Sequence, residues 1–403
     1  MKKKLSPAES FQTALEVAEY YGFQSMESLA EDIVKVGRGR PSALRFPKDP
    51  KKPGLTDRAG IVHALVEYGT SGLPQPMLIH HSEPVWNNLD RKDFGGKDGL
   101  FFGLEIVGSP SPIAEALLLT VGQAILKDLG FSEALVHLNS VGERESMMRF
   151  NREFSTYAMK HLEEIPAKCK THLKKRDALK TLECIDGEEG CLKLTEEAPK
   201  PIASLSEDAR THFAEMLEYA EGIGFPYQVN HCLVGGKDWY SKTILELRAM
   251  TDGEDIKKLA SPVLAKGGRY DALARKFDYK KDLPSVGLTL TLGGSGMTEK
   301  KSKIKKPKLP KVYLLQIGWS AKVKSLKLLE SLRAAKIPVT HDLLRDRLGA
   351  QIGGVEKNNI RYTIIIGQRE ALEGTAIVRD MSNRSQITVP LAALPGHLKK
   401  VLG

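Results

Sequence analysis

The densest grouping of residues able to recognise a small molecule lies between positions 222 and 271. Two glycine pairs, Gly235-Gly236 and Gly267-Gly268, are each followed closely by aromatic and charged side chains. Asp238, Trp239 and Tyr240 follow the first pair, and Arg269 and Tyr270 follow the second. Adjacent glycines let a backbone turn tightly or approach a ligand closely. Rings and charges beside such a turn commonly line a small-molecule pocket. For the glycines alone, a structural β-turn is the alternative. The pattern predicts short strands, one over residues 244–247, on either side of glycine-rich turns that carry these side chains.

The elements that must position this stretch can be read in order. Residues 7–21 space apolar side chains at helical intervals behind Ser6, a candidate N-cap, and Gly22 closes the helix. Residues 55–68 predict a second helix, and residues 112–129 a third with a broad apolar face. Residues 134–140 read as a strand, 143–182 and 205–223 as charged helices, and 283–292 as another strand. After a basic, proline-containing run at 297–310 the pattern changes. Strands over 312–317, 337–340, 361–367 and 375–380 alternate with helices over 321–335, 348–358 and 391–402. That alternation predicts a compact α/β sandwich.

At 403 residues the chain suits two or three domains. No apolar run reaches the length of a membrane span. The basic start at 1–5 is followed by no apolar core and cleavage site, so no signal peptide is expected and a cytoplasmic location is the default. The net charge of +10 and isoelectric point near 9.2 favour a polyanionic partner such as RNA. Part of the excess lies in the run 300–308, readable as a solvated linker or a phosphate contact. Cys169, Cys184, Cys191 and Cys232 lack metal-site spacing and are expected to be reduced thiols, so no metal site is assigned.

Residues 233–243 resemble the histidine-binding signature of histidyl-tRNA synthetases, Leu-Val-Arg-Gly-Leu-Asp-Tyr-Tyr-x-x-Thr. Residues 267–271 are similar to that family's Gly-Gly-Arg-Tyr-Asp turn, and 138–142 to its Leu-Asn-Ser-Leu-Gly. Residues 364–367 and 374–380 look like phrases of the anticodon-binding domain of these enzymes. The resemblance runs from about residue 7 to 402. It implies an α+β class II synthetase-like core over 1–296, with an antiparallel sheet, flanking helices and a helical insertion at about 143–222. A basic linker at 297–310 and an α/β anticodon-binding-like domain over 311–403 would follow. It further implies a cytoplasmic homodimer built partly through the helix at 7–21. Its partners would be tRNA or another RNA, with histidine as a candidate ligand. The histidine-pocket-like residues would be Glu105, Asp238, Trp239, Tyr240, Gly267, Gly268, Arg269 and Tyr270. The RNA-facing residues would be Arg345, Arg347, Gln351 and Lys357, for which a solvated basic face is the alternative.

The chemistry of the family is not matched. Its glutamate that contacts the histidine amino group falls on Thr56, and its substrate-reading glutamine falls on Phe101. Three arginines that the family uses on ATP and on the activated substrate fall on Asn87, Gly235 and Gly294. Activation places negative charge on phosphate, and preorganised cations supply most of the help. Loss of three should leave little activity. The expectation is therefore a catalytically impaired, histidyl-tRNA synthetase-like pseudoenzyme, with no catalytic residue assigned, that binds tRNA or RNA, histidine or a partner protein. One alternative is an active histidine–tRNA ligase, using ATP and Mg²⁺ and a rearranged site built from Arg58, Arg91, Lys237 or Lys242. The other is a protein like the regulatory subunit of ATP phosphoribosyltransferase in histidine biosynthesis.

Overall fold

Two sheets organise the chain in the computed structural model, which describes residues 5–25, 28, 62, 65, 75–84, 100–131, 133–188, 190–235, 240–250, 262–293, 311–346, 348–357 and 360–402. Helix α1 (Pro7–Tyr20) starts at a capping box. The Ser6 hydroxyl accepts from the Glu9 amide at 3.2 Å, and the Glu9 carboxylate accepts from the Ser6 amide at 2.8 Å. Such a cap is worth about 1 kcal/mol. Gly22 then leaves the helix at φ +87°, where a side chain would be strained. The helix expected over 55–68 falls outside the described residues except for Val62 and Leu65, both buried.

The first sheet takes strands β1 (Gln24–Ser25), β2 (Met77–Pro84) and β3 (Leu100–Val107), then, after helix α2 (Ile113–Asp128), β4 (Ala134–Gly142). Helices α3 (Arg144–Lys160), α4 (Ala167–Lys174), α5 (Ala178–Asp186), α6 (Leu192–Glu197) and α7 (Glu207–Ile223) follow. Strands β5 (Tyr227–Val229), β6 (Ser241–Ala249), β7 (Val263–Arg269) and β8 (Ser285–Leu292) complete it. The eight strands lie in the order β1-β2-β3-β8-β7-β6-β4-β5. Pairing is antiparallel from β2 across to β4, and parallel only at the edges, where β1 joins β2 and β5 joins β4.

Side chains alternate between faces along each strand. Leu104 and Ile106 of β3, Val286, Leu288 and Leu290 of β8, Leu245 and Leu247 of β6, and Val136 and Leu138 of β4 share one core with α1, α2 and α7. Helix α2 is apolar nearly all round and is accordingly buried nearly all round. Gly267 and Gly268 were expected in a turn, and the structure corrects this: both lie inside β7. A Cβ on Gly267 would stand 2.1 Å from the Gly287 carbonyl oxygen, so this glycine serves the close approach of β8.

Helices α3 to α6 pack around Phe150, Phe154, Leu182 and Ile185 as a separate cluster. The expectation of four reduced thiols is corrected here, because Cys169 of α4 and Cys184 of α5 form a disulfide. The two helices lie side by side with these Cα atoms 5.6 Å apart, within the range a disulfide spans. Cys191 and Cys232 are free thiols.

The second sheet holds β9 (Val312–Gln316), β10 (Val339–His341), β11 (Tyr362–Ile366), β12 (Thr375–Asp380) and β13 (Gln386–Pro390), in the order β10-β9-β11-β12-β13. Its helices are α8 (Trp319–Ala334), α9 (Leu348–Lys357), α10 (Gln368–Glu373) and α11 (Leu394–Leu402). Strand β13 and helix α10 were not anticipated. Only Val389 of β13 is buried, so no alternation betrays that strand. Helix α8 docks this sheet onto the first unit. The Tyr21 hydroxyl donates to Glu330 at 2.8 Å, and Arg333 donates to Asp128 at 2.6 Å and to Glu330 at 2.7 Å. No helix among the described residues is long and apolar enough to cross a membrane.

Candidate functional site

The face of the first sheet turned away from α2 is polar, and the register lays it out in two rows. Directly paired residues on neighbouring strands share a face. One row runs Ile79, Glu105, Gly287, Gly268, Ile244, Asn139. The next runs His81, Gly103, Thr289, Lys266, Glu246, His137, Gln228. Glu105 is fully buried in the first row, beside two glycines. Its Oε2 accepts the Tyr270 hydroxyl at 2.5 Å, and its Oε1 lies 3.2 Å from His81 Nε2. The His81 ring lies on Gly103, where a Cβ would stand 1.9 Å from Nε2. Only glycine is compatible with that ring position.

Tyr240 occupies the other glycine. A Cβ on Gly268 would come within 2.9 Å of Tyr240 Cδ1, and a Cβ on Gly235 within 2.6 Å of Tyr240 Cδ2. The ring is thus held between two backbone segments and is 9% exposed. Gly235 itself has φ +80°, a left-handed conformation that disfavours any side chain. The 230–235 segment is fastened to the sheet by Asn139, whose amide donates to the carbonyls of His231 and Leu233 at 3.1 and 2.9 Å. The expectation about position 235 can therefore be tested on geometry. The residue is a glycine, and its surroundings have closed over the place where a side chain would leave the backbone.

The second row is an electrostatic strip. Arg248 Nε lies 2.5 Å from Glu246, and Lys266 lies 3.9 Å from the same carboxylate. Burial, assisted by Arg248, pushes the His137 imidazole down to about 4, so it is neutral near pH 7.

Arg269 and Tyr270 are neighbours in sequence, yet the structure separates them. Arg269 pairs with Val286, which faces the helices, and its guanidinium is fully buried beneath the sheet. It donates to both Glu115 oxygens, at 2.9 and 2.7 Å, to the Ser109 carbonyl at 2.9 Å and to Asp271 at 3.2 Å. His212 Nε2 lies 2.6 Å from the same Glu115 carboxylate. Burial raises the Glu115 carboxyl, but Arg269 and His212 outweigh it and hold the group well below the usual carboxylate range. Asp271 goes the other way: burial raises it, and Arg269, whose bidentate grip is on Glu115, offsets this only in part. Arg269 is thus a buried brace between the sheet, α2 and α7, and it does not share a pocket with Tyr270.

Of the residues expected around a histidine-like pocket, the structure brings together Glu105 and Tyr270, and places Gly267 and Gly268 in β7 and Tyr240 immediately before β6. Asp238 and Trp239 lie outside the described residues, as do Asn87 and Gly294. His81, Gly103, Gly287 and Asn139 were not singled out as site residues. A glycine between Phe102 and Leu104 in an apolar strand was the available signal for Gly103.

Of the RNA-facing set, Gln351 is corrected. It is fully buried, and its amide accepts from the Gln316 backbone nitrogen at 3.0 Å and donates to the Gln316 carbonyl at 2.9 Å. It ties α9 to β9 and cannot reach a ligand. Arg345 is partly exposed, 3.6 Å from Asp342. Arg347 and the Lys357 side chain lie outside the described residues.

Comparison with known proteins bears on these features. A sequence model of the anticodon binding domain family matches residues 311–401. The histidine–tRNA ligase of Symbiobacterium thermophilum is 30% identical over 351 residues, covering 85% of this chain and 78% of that one. The histidine–tRNA ligase of Acetivibrio thermocellus is 27% identical over 343 residues, covering 85% and 80%. The crystal structure of apo histidyl-tRNA synthetase from S. aureus superposes with a TM-score of 0.50 at 20% identity, covering 98% of each chain, which supports the fold. With a mixed sheet under helices, an α/β unit matched by the anticodon-binding model and this extent of identity, the chain belongs to the histidyl-tRNA synthetase family of class II aminoacyl-tRNA synthetases.

Proposed function

We propose that this chain has kept the synthetase frame, has lost amino-acid activation, and acts by binding tRNA or another RNA through the region 311–401, as a cytoplasmic homodimer. The observation that carries the reading is position 235. Where the family's signature has an arginine, this chain has a glycine in left-handed backbone with the Tyr240 ring against it. The described residues do not fit an activating site there, because no cation can project from that point. The replacements at Asn87 and Gly294 point the same way. The anticodon-binding match over 311–401, with the basic run at 300–308 leading into it, supports RNA as the partner.

Two measurements on the full chain test this. Histidine-dependent ATP–pyrophosphate exchange is expected at background, and bulk tRNA is expected to bind with an affinity that falls steeply with salt. Exchange above background would establish the ligase reading instead. Absence of tRNA binding at low salt would remove the RNA half of the proposal.

A further inference from the structure

The polar face of the first sheet contains an imidazole already seated. The His81 ring rests on the bare backbone of Gly103, presents Nε2 to Glu105, and is nearly buried. The second oxygen of that carboxylate is taken by the Tyr270 hydroxyl, so both of its oxygens are engaged by ring-borne groups. On one side of Glu105 the row continues through Gly287 and Gly268, which add no side chain, and Tyr240 closes over Gly268, while Ile79 stands on the other side. A flat surface without Cβ atoms, a buried acceptor at its edge and a phenol to orient that acceptor are the parts of a site for a planar N–H donor.

We propose that His81 is a resident occupant of an imidazole-binding site, and that removing its ring opens this site to free imidazole and to molecules carrying one, free histidine among them. In the intact chain the site is then closed to an external imidazole unless β2 moves. The imidazole claim stands on this geometry alone. Only its extension to free histidine rests on reading Glu105 and Tyr270 as histidine-pocket residues.

The test compares the intact protein with His81→Gly, His81→Ala and the double variant His81→Gly/Glu105→Gln, by calorimetry and thermal melting. The intact protein should give no binding heat with imidazole. His81→Gly should melt lower than the intact protein, and about 10 mM imidazole should raise its Tm by about 2–4 °C, the shift expected of a millimolar ligand. Toluene, which fills space but donates nothing, should restore less. Adding Glu105→Gln should weaken imidazole binding by about tenfold or more, as loss of a charge-assisted hydrogen bond would. Equal rescue by toluene, or a folded His81→Gly and His81→Ala that ignore imidazole, would overturn the proposal. So would histidine binding to the intact protein as tight as to His81→Gly. If neither variant folds alone, refolding yield with and without imidazole is decisive: recovery supports the site and no recovery overturns it. None of these readouts involves ATP or RNA, so the outcome is separable from the binding role proposed above.

Discussion

Restoring the family's arginine at position 235 should damage the protein without reviving it. The backbone there has φ +80°, and placing an L-residue in left-handed conformation costs about 1–2 kcal/mol. Its Cβ would stand 2.6 Å from Tyr240 Cδ2, a ring atom and not the tip of a flexible chain. The ring cannot retreat toward Gly268, because a Cβ-sized gap does not exist there either: the corresponding approach is 2.9 Å. Overpacking of this kind costs about 1–3 kcal/mol. Gly235→Arg should therefore lose roughly 2–5 kcal/mol, and Gly235→Ala nearly as much, since both terms arise at Cβ and none at the guanidinium. Urea unfolding of the two variants measures this, and histidine-dependent pyrophosphate exchange on Gly235→Arg should stay at background. Adding Tyr240→Ala to Gly235→Ala should recover the overlap term and leave the backbone term, a coupling that a double-mutant cycle isolates. A Gly235→Arg protein as stable as the parent, or one that gains exchange, would refute the reasoning. It would mean that Tyr240 swings aside readily and the site lacks only a charge.

Other changes separate the two faces of the sheet. Arg269→Leu leaves Glu115 buried without its main counter-charge and should lower stability by about 3–5 kcal/mol in chemical denaturation, as for other broken buried pairs. Stability should fall as the solution is acidified, in two stages. His137 is held neutral by burial, so the unfolded chain takes up its proton first, and stability is lost as pH drops from about 6.5 toward 4. Glu115 is held ionised, so its contribution is present above about pH 4.3 and is lost as pH drops further. Urea midpoints against pH should show both; burial holds His341 down to about 4 as well, so His137→Asn should shrink the upper stage and leave the His341 share of it. In the second unit, Arg345→Ala should weaken tRNA binding and reduce its salt slope by about one, whereas Gln351→Ala should lower the melting temperature, because its amide is bonded inside the fold.

What could be read without coordinates follows from which physical signals are local. The N-cap signal at Ser6 is confined to the first turn, and helix α1 begins where it predicts. The apolar α2 and the strand–helix alternation after residue 311 are likewise visible over short windows. The polar face is not. One of its rows joins His81, Gly103, Thr289, Lys266, Glu246 and His137, six residues from six strands, and only pairing register relates them. The same limit explains Arg269 and Tyr270. Adjacent in the sequence, they suggest one pocket, but successive residues leave a strand on opposite sides, and one braces the core while the other holds Glu105.

A glycine in place of an arginine leaves two possibilities open: a site that has merely lost a charge, with space still waiting, or a site that has been rebuilt. The first would be reversible by one substitution and would keep the active-ligase alternative alive through some nearby cation. The geometry favours the second. Gly235, Tyr240 and Gly268 are mutually dependent, because the ring fits only between two positions without Cβ atoms. His81 and Gly103 form a second such pair at the other end of the pocket. Two rings of the chain seated on two bare stretches of its own backbone leave no room at those points for a further side chain.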